Sequence, residues 1–388
     1  MSRWVQGYGY GDRVIYQKYI EAKKLRGLFT MVTDEVKKYK SYVIYGAQVI
    51  AVGAREAIAH LTGIQPISFA VGKPAGKTWF PNGNPEEIDG IKVVPIETVP
   101  TDTFIVLGVT ELIQQEAIPY LDSHGYKNYY ALTQHEEHLL MSEYYRSVGL
   151  FPVIDDLRHE ISQNNNFAMY EVRNDKDKPL SFHPDLYPYE IPIQAGAALA
   201  EKSIAEVKDD IGLNISNKNR MYCEMSAVYW IWKNTKHDWI GIEHYRRHLL
   251  VKPEMLTDDI DAIMPLPYIC YPNEMAQFLR FTTEDVKDAL FRALETLHPE
   301  AFEEYKAILY GKYQYTYDLV CARNSVFDDY CSWFFEITEF MEENYSKEVP
   351  ALVETRAFSY VAEVLTNLYF MYHQKDLRIR HVEKAIYT

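Results

Sequence analysis

The chain has 388 residues, a formal net charge of −15 at pH 7 and 47% hydrophobic residues. Such a composition is that of an ordinary globular protein, with enough chain for two domains. The acidic balance argues against nucleic acid or an anionic membrane surface as the main partner, although a local basic site could still bind small anions. The four cysteines lack metal-type spacing, which favours reduced core cysteines in a cytoplasmic protein.

The first part of the chain is predicted to be Rossmann-like. Residues 1–40 are polar and rich in tyrosine and lysine, which indicates a helical lead-in. From residue 42 an apolar strand enters a glycine turn and a helix, and strands then alternate with helices as far as residue 132. This alternation predicts a parallel, doubly wound sheet over residues 41–140.

The first glycine turn is an incomplete nucleotide-binding fingerprint. Gly46 and Ala51 stand at the outer positions, but Gln48 replaces the middle glycine that lets the backbone approach a pyrophosphate. Two interpretations stay open for this domain, which are nucleotide binding and a structural or partner-docking role. The glutamine favours the second.

The second domain is predicted to follow a charged linker over residues 141–165 and to occupy residues 166–388. Predicted strands cover residues 168–172, 189–194, 239–242, 261–265 and 377–381. The strand at 189–194 is expected to lead into a helix, and a further helix is predicted over 221–232. The later part is predicted to be mainly helical, at 283–294, 299–310, 326–344 and 357–373.

A cationic segment follows the predicted strand at 239–242. It reads His244-Tyr245-Arg246-Arg247-His248. Ligands of open α/β sheets bind just outside the carboxyl ends of strands, and arginine grips phosphate oxygens as a rigid fork. The segment therefore predicts a site for a doubly charged anion. A solvated basic strand end or a nucleic-acid patch is the alternative.

The predicted helix at 221–232 contains a single charge, Glu224. Because the helix is apolar nearly all round, it is expected to be buried, and a buried carboxylate needs a partner. The arginines at the next strand end are available for that. Glu224 would then either neutralise an arginine as a structural pair or orient it toward a ligand. Lys233 closes the helix where the dipole favours a cation.

The segment before this helix has more polar side chains than a helix cap requires. Asn214 and Ser216 can both cap, and Asn217 and Asn219 follow them. A helix amino terminus with free N–H groups also favours anions. The alternatives are ordinary capping and contact with an anionic ligand.

Several ordered motifs resemble one bacterial family of glycosyltransferases. They are Pro192-Ile-Gln-Ala-Gly-Ala-Ala, Asn214-Ile-Ser-x-x-Asn219, Tyr222-Cys-Glu224, Tyr229-Trp-Ile-Trp-Lys-Asn234, Ile240-Gly-Ile-x-His-Tyr-Arg-Arg, Phe327-Asp-Asp-Tyr-Cys-x-Trp333 and Arg356-x-x-x-Tyr360-x-x-Glu363. The family carries an uncharacterised domain, occurs in capsular and exopolysaccharide gene clusters, and includes galactofuranosyltransferases. The resemblance covers about residues 168–385, and the preceding domain looks like the Rossmann-like companion of some members.

The resemblance implies an α/β protein in which the second domain is a GT-A-like glycosyltransferase. It would move a sugar, galactofuranose in some members, from a nucleotide diphosphate donor to a growing surface polysaccharide. The implied donor contacts are Gln194, Gly196, Asn214, Ser216, Asn219, His244, Arg246 and Arg247. Glu224 and Lys233 would orient this group. A lipid-linked acceptor would add peripheral contact with the inner membrane face.

The resemblance also implies an acceptor side. If the reaction inverts, a carboxylate must take the proton of the acceptor hydroxyl, and Glu363 and then Asp318 are the candidates. Arg356 and Tyr360 would contact the acceptor. Two departures stand near this side, because Asp318 replaces a usual asparagine and Ser359 a usual glycine.

No metal or other cofactor is expected. Glycosyltransferases of the GT-A class commonly hold a divalent metal with Asp-x-Asp at a strand end, where this chain has arginines that could neutralise the diphosphate themselves. Asp259-Ile-Asp261 matches that motif but precedes its strand, so it is predicted to be solvated. Two other classes stay open, namely a non-catalytic assembly protein of a polysaccharide-synthesis complex and a nucleotide-sugar oxidoreductase, which Gln48 disfavours.

Overall fold

The computed structural model describes residues 31–72, 85–154 and 166–387. Most of the predicted lead-in over residues 1–40 lies outside these ranges. Its described end forms helix α1 (Val32–Tyr39), which has an apolar side with Val32 and Val36 buried.

The first domain is built on a six-stranded sheet with the order β3-β4-β2-β1-β5-β6. The pairs are parallel except for β3 with β4. Its strands are β1 (Val43–Tyr45), β2 (Phe69–Val71), β3 (Glu87–Ile88), β4 (Ile91–Pro95), β5 (Ile105–Leu107) and β6 (Tyr129–Ala131). Its further helices are α2 (Val49–Thr62), α3 (Glu111–Ser123) and α4 (Gln134–Val148). The predicted doubly wound arrangement is confirmed, although β2 was not predicted.

The crevice between the ends of β1 and β5 is closed by the protein itself. Gly46 has φ +120°, and a Cβ there would lie 2.8 Å from the carbonyl oxygen of Gly108. A Cβ on Gly108 would lie 2.9 Å from Cα of Ala51. The strand order reverses between β1 and β5, where doubly wound sheets bind nucleotides. The glycines here bring the protein's own backbone together instead of a pyrophosphate.

A small cleft does lie beside the amino end of α2. Its volume is about 220 Å³, and Tyr271, Gln277 and Arg280 of the second domain form one wall. Because this volume includes space open to solvent, the enclosed part is smaller still than the roughly 300–1,000 Å³ of pockets for drug-sized ligands.

The predicted linker over residues 141–165 is wrong at its beginning. Residues 141–148 belong to α4, which starts with a capping box in which the Thr133 side chain accepts from the N–H of Glu136. The polar surface of α4 conceals a buried side with Leu140, Tyr144 and Tyr145. Residues 155–165 lie outside the described ranges.

The second domain is built on a nine-stranded mixed sheet. Its main order is β16-β12-β15-β10-β7-β8-β9, with β11 beside β10 and β17 beside β11. Strand β15 runs antiparallel to both neighbours. The strands are β7 (Phe167–Arg173), β8 (Glu190–Gln194), β9 (Val207–Lys208), β10 (Trp239–His244), β11 (Arg247–Leu249), β12 (Ala262–Pro265), β15 (Val320–Arg323), β16 (Ile379–Val382) and β17 (Lys384–Ile386), with β13 (Tyr268–Ile269) and β14 (Tyr313–Gln314) forming a separate pair.

Helices cover one face of this sheet. They are α5 (Asn219–Tyr222), α6 (Met225–Asn234), α7 (Glu274–Phe278), α8 (Glu284–Leu297), α9 (Phe302–Leu309), α10 (Asn324–Tyr345), α11 (Ala351–Glu354) and α12 (Ala357–Tyr372). The four predicted C-terminal helices correspond to α8, α9, α10 and α12, so their prediction is confirmed. Among the helices of the described ranges, none is long and apolar enough to cross a bilayer.

Two predictions in the middle of this domain are corrected. The helix expected after residue 194 is a single 3-10 turn over Ala197–Leu199, because Gly196 turns the chain at φ 68°. The buried helix expected over 221–232 is divided into α5 and α6. The division lies at Cys223, which has φ 47° and ψ −124°. A non-glycine residue at positive φ ends a helix, and here it turns the next residue, Glu224, toward the strand ends.

The two domains meet through specific hydrogen bonds. The Gln134 side chain donates to the carbonyl of Ile386 at 3.0 Å and accepts from its N–H at 2.8 Å. The Tyr145 hydroxyl donates to the carbonyl of Pro267 at 2.9 Å. A cleft of about 400 Å³, partly open to solvent, lies between α4 and the end of the second sheet, with Glu137 and Lys384 in its walls.

Candidate active site

The charged side chains of the second domain collect at the carboxyl ends of β7 and β10. These two strands are parallel neighbours, and His244 pairs with Val172 near their ends. The segments that follow them carry Asp177 and the two adjacent arginines, Arg246 and Arg247. Helix α12 and the Tyr317–Asp318 turn approach the same edge. The predicted location of the site is therefore where the fold brings several segments together.

Glu363 is half-buried on α12 and interacts with several charges. Burial, partly opposed by the Arg247 guanidinium, raises the pKa of Glu363 from 4.5 to about 7. The Glu224 carboxylate raises it further, and Arg356 opposes this. A carboxylate whose pKa lies near neutral pH is suited to accept and return a proton.

Asp318 lies next to Glu363 but in a different environment. It is 4% exposed, and its Oδ1 accepts from the Thr366 hydroxyl at 2.7 Å. Its Oδ2 is buried and has no hydrogen-bond partner in the described ranges. Burial and the adjacent Glu363 hold the pKa of Asp318 well above its ordinary value. Asp318 therefore holds its proton to a higher pH than an exposed aspartate does.

The turn that presents Asp318 has an unusual backbone. Tyr317 and Asp318 have φ values of 72° and 51°. Left-handed conformations at two successive non-glycine residues cost about 1–3 kcal/mol each and are concentrated at functional sites. Here they place the Asp318 carboxyl and the Tyr317 ring on the side of the turn that faces Arg247.

Arg247 is held at the strand end by an aromatic ring and by the sheet. Its guanidinium carbon lies 4.2 Å from the centre of the Tyr317 ring. In β11, Arg247 is paired with Ile386 of β17. The backbone of Ile386 is in turn hydrogen-bonded by the side chain of Gln134 from the first domain. The carbonyl of Arg246 accepts from the N–H of Tyr387 at 2.8 Å. The first domain thus braces the strand that carries the arginines.

The two histidines of the cationic segment lie in different surroundings. Burial and the nearby Arg247 and Arg246 lower the pKa of His244 to about 3, so it is neutral. Its Nε2 is buried without a hydrogen-bond partner in the described ranges. His248 is fully buried between Glu171 and Glu243, at 3.6 and 3.2 Å. His244 therefore adds no positive charge to the cationic segment.

Glu224 lies at this edge without pairing an arginine. Its Oε1 accepts from the Ser359 hydroxyl at 3.1 Å, and its exposure is intermediate. Glu224, Arg246 and Arg247 all lie within the described ranges. No ion pair joins the Glu224 carboxylate to either arginine. The predicted buried pair is therefore wrong. Ser359, which departs from the glycine of the resemblance, provides the hydrogen bond that holds Glu224.

Arg356 lies beside Glu224, whereas Lys233 lies at the other end of helix α6. The Nε of Arg356 donates to Cys223 Sγ at 3.3 Å, and the Cys223 and Glu224 side chains raise the pKa of Arg356. The Lys233 ammonium lies 3.1 Å from the centre of the Trp232 ring at the far end of α6. Lys233 follows Glu224 by nine residues, which corresponds to about 13 Å along the axis of a helix. The prediction that Lys233 supports the phosphate-binding group is therefore wrong.

Most of the predicted donor contacts are used to build the fold. Asp209 is fully buried and accepts from the N–H groups of Gly196 and Ala197 and from the hydroxyls of Ser216 and Ser226. This network is the reason why the segment has more polar side chains than a cap requires. The sequence showed the polar cluster but not that Asp209 is its centre.

The remaining predicted donor contacts are also hydrogen-bonded within the chain. Gln194 donates to the carbonyl of Lys202 and accepts from the N–H of Ile204. Asn219 donates to the carbonyl of Cys223 at 2.6 Å. Asn214 is exposed and accepts from the N–H of Ser216 rather than capping a helix. Any contact of these side chains with a donor stays a prediction.

One site residue was missed. Asp177 follows β7, and its Oδ2 accepts from the N–H of Asn174 at 2.7 Å. Burial raises the pKa of Asp177 to about 6, although Arg246 lowers it, and Glu224 raises it. Asp177 therefore lies close to both groups. The only sequence signal was a carboxylate shortly after a strand end, which is too common to single out.

The Asp259-Ile-Asp261 motif lies near the other end of strand β10, away from the candidate site. Asp261 precedes β12 and forms a two-point ion pair with Arg378, at 2.7 and 2.9 Å. The N–H of Arg323 donates to the carbonyl of Asp261. Arg323 is also the residue that pairs with Trp239, the first residue of β10. Trp239 is five residues from His244 along β10, about 16 Å. The expectation that Asp261 is simply solvated is corrected, since it is ion-paired.

One buried group has the residue types of a metal site. Glu190, Glu243 and His248 each place a ligand atom within 4.8 Å of the others. Glu243 and His248 lie on the sheet face away from His244, because residues alternate between faces along β10 and β11. This group is therefore separate from the cluster around Glu363 and Arg247.

The comparisons with known proteins bear on the fold and the family of the chain. No curated protein matches the chain. A solved structure described as the apo form of the WbbM bifunctional glycosyltransferase is similar, with 25% identity and a TM-score of 0.50. The similarity covers 57% of this chain and 45% of that one, so this chain spans less than half the length of that protein. The mixed α/β fold predicted from the sequence is confirmed.

A family also matches residues 178–375, the part of the chain that contains the end of β10, Glu224, Asp318 and Glu363. The matched segment is just over half of the 388 residues. The chain belongs to the family described as "Domain of unknown function (DUF4422)".

Proposed function

We propose that this protein is a glycosyltransferase that moves a sugar from a nucleotide diphosphate donor to a glycan acceptor. The observation that carries the proposal is the convergence of Arg247, Glu363 and Asp318 at one edge of the sheet. A paired guanidinium site can hold a diphosphate, and a carboxylate of raised pKa beside it can accept a proton. The likeness to a bifunctional glycosyltransferase supports the same reaction class.

In the proposed reaction, Glu363 takes the proton of an acceptor hydroxyl. The oxygen attacks the anomeric carbon of the donor sugar, and the bond from that carbon to the diphosphate breaks. The leaving nucleoside diphosphate gains negative charge, which Arg246 and Arg247 stabilise. Neutral Asp318 can donate a hydrogen bond from its carboxylic acid to the reacting sugar. This sequence corresponds to inversion at the anomeric carbon.

We further propose that the donor sugar is galactofuranose and that the acceptor is an oligosaccharide or lipid-linked glycan of a capsular or exopolysaccharide. The resemblance of the ordered motifs supports this finer assignment. A lipid-linked acceptor would bring the protein to the inner face of the membrane through peripheral contact.

Transfer is proposed to need no metal. Arg246 and Arg247 follow the end of β10, and the resemblance implies that GT-A enzymes have their metal-binding carboxylates at such a strand end. Asp259 and Asp261 lie about 16 Å away along the sheet, so they cannot hold a metal on the same diphosphate.

The deciding experiment combines the purified chain with a panel of nucleotide sugars and oligosaccharide acceptors. Mass spectrometry of the products identifies the sugar that has been added, and release of nucleoside diphosphate gives the rate. Transfer with the wild type and its loss with Glu363→Gln would support the proposal. Turnover by Glu363→Gln equal to that of the wild type would contradict the role of Glu363.

The alternative is a non-catalytic assembly protein. The hydrogen bonds of Gln134 to Ile386 favour a close link between the two domains, which an assembly role also requires. Calorimetry with nucleoside diphosphates separates the two functions, because an assembly protein should bind none of them. Binding that depends on Arg247 would exclude it.

A further inference from the structure

Helix α12 presents three of the predicted site residues along one side. Arg356, Tyr360 and Glu363 are spaced by four and three residues, so they follow each other along one face of the helix. Arg356 and Tyr360 lie close enough for the phenol to raise the pKa of the guanidinium. The row therefore extends from the proposed proton acceptor, Glu363, toward the beginning of the helix.

A second aromatic ring lies against this row. Phe281 follows α7, and its ring stacks on that of Tyr360 with the centres 5.3 Å apart and the planes 18° from parallel. The Phe281 side chain is nevertheless 42% exposed. Its neighbour Arg280 and Glu363 both perturb the pKa of the Cys270 thiol, so the end of α7 lies near Glu363.

This aromatic pair lies on a different side of α12 from the phosphate-binding edge. Ser359 is turned toward Glu224, and Tyr360 is turned toward Phe281. Successive helix residues point about 100° apart, so the two contacts leave the helix in different directions. A ligand that extends from Glu363 over Phe281 therefore leads away from Arg246 and Arg247.

We propose that Phe281 and Tyr360 form a stacking platform for a sugar ring of the acceptor glycan. Pyranose rings have an apolar face of C–H groups, and ligand sites combine such aromatic surfaces with a few polar groups. Arg356 and Glu363 provide the polar groups in the same row. The proposal rests on the proposed transferase function and adds Phe281 to the acceptor side.

The chain contains a matched control pair. Phe291 and Tyr310 stack at 5.9 Å with planes 24° apart, and Tyr310 is 51% exposed. This pair has the geometry and exposure of the platform without a carboxylate of raised pKa like Glu363 beside it on the same helix face. Tyr310→Ala therefore removes an equivalent exposed ring at a place where no acceptor is expected.

The test measures binding of methyl β-galactopyranoside, methyl β-glucopyranoside and methyl α-mannopyranoside by saturation-transfer NMR on the full chain. At least one glycoside should bind the wild type, and Phe281→Ala should weaken that binding by about three- to tenfold. Phe281→Trp should retain it, and Tyr310→Ala should leave it unchanged. Melting temperatures confirm that each variant is folded.

Affinity for nucleoside diphosphates, measured in parallel by calorimetry, separates this proposal from the transferase function. Phe281-dependent glycoside binding without nucleoside diphosphate binding would keep the platform and overturn the transferase. Equal glycoside binding by the wild type and Phe281→Ala, or no binding of any of the three glycosides, would overturn the platform. A loss of nucleoside diphosphate affinity in Phe281→Ala would overturn it too, since the ring would then stack on the donor base.

Discussion

The carboxyl ends of the strands differ between the two sheets of this protein. In the first domain, Gly46 and Gly108 bring the chain so close together that an added Cβ at Gly46 would lie 2.8 Å from a carbonyl oxygen. In the second domain, the ends of β7 and β10 carry charged side chains, including Arg247. The carboxyl ends of strands suit ligand binding. In the first domain this region is filled by close backbone packing, whereas in the second domain it carries polar side chains. The side chains, not the position, decide which domain can bind an anion.

The domains are nevertheless connected. The Gln134 side chain of the first domain binds the backbone of Ile386, which pairs with Arg247. The first domain has thus closed its own crevice and supports the strand that presents the arginines of the second.

The largest effect is expected from Glu363→Gln. Loss of a positioned general base should lower turnover by about 10²–10⁴-fold while nucleoside diphosphate affinity stays unchanged. Asp318→Asn is the matched control, because an amide resembles the neutral acid that the raised pKa of Asp318 indicates. It should retain turnover within a few-fold. Steady-state rates of both variants check this, and equal losses would contradict the assignment of separate roles.

The pH dependence should follow Glu363. Turnover should fall as the pH drops through about 7, because the carboxylate that accepts the proton becomes protonated. Stability should change in the opposite sense. The pKa of Glu363 is raised from 4.5 to about 7, so the folded state holds its proton longer, and stability is lost as the pH rises through this window.

Glu363→Gln should therefore be more stable than the wild type at pH 8, by up to about 3 kcal/mol, and equal to it at pH 4. Urea unfolding at the two pH values measures the difference. A variant less stable than the wild type at pH 8 would show that the carboxylate is stabilised by its cations instead.

Arg247→Ala should weaken nucleoside diphosphate binding by roughly 1.5–3 kcal/mol, the contribution of a charge-assisted hydrogen bond. Arg246→Ala should act in the same direction. Lys233→Ala provides a matched loss of one cation, because its ammonium lies on the Trp232 ring away from the site. Calorimetry that gives the same affinity for the wild type and both arginine variants would remove them from the site.

Gly46→Ala tests the closed crevice. The residue has φ +120°, and the new Cβ would contact Gly108 and Val109 at 2.8 Å. We expect a loss of about 1–3 kcal/mol in the free energy of unfolding, with nucleoside diphosphate affinity unchanged. Gly63→Ala, at φ 73° with open space around it, separates backbone strain from the clash. A loss of nucleoside diphosphate affinity without a loss of stability would place a nucleotide site in the first domain after all.

Chelation is expected to have no effect on transfer. Two arginines at the diphosphate position would repel a divalent cation and supply the positive charge themselves. Rates before and after exhaustive treatment with EDTA, with and without added Mn²⁺, measure this. If EDTA abolishes transfer and Mn²⁺ restores it, the arginine site is wrong. Unchanged melting under EDTA would further show that Glu190, Glu243 and His248 hold no structural metal.

Much of the fold follows from local patterns in the sequence. The buried strand at residues 239–242 and the long amphipathic helices at 284–297 and 324–345 have enough residues for their periodicity to be clear. The cationic segment could be placed at a strand end because it follows an apolar run directly. The proximity of Arg247 to Glu363 could not be predicted from a local pattern, because more than a hundred residues separate them.

The tertiary structure decided which polar side chains are hydrogen-bonded within the chain. Gln194, Ser216 and Asn219 have the types and spacing of ligand contacts, but their hydrogen bonds are made within the chain, to residues such as Asp209. No local pattern records this, because the partners come from other segments.

The same holds for charge. His244 is neutral because burial and two neighbouring arginines disfavour a third positive charge, and Glu363 holds its proton up to about pH 7 because α12 buries it near Glu224. The sequence by itself determined which residues can ionise and where the strands end. Only the tertiary structure decided which of them stay charged, since burial and neighbouring charges are set by the packing of distant segments.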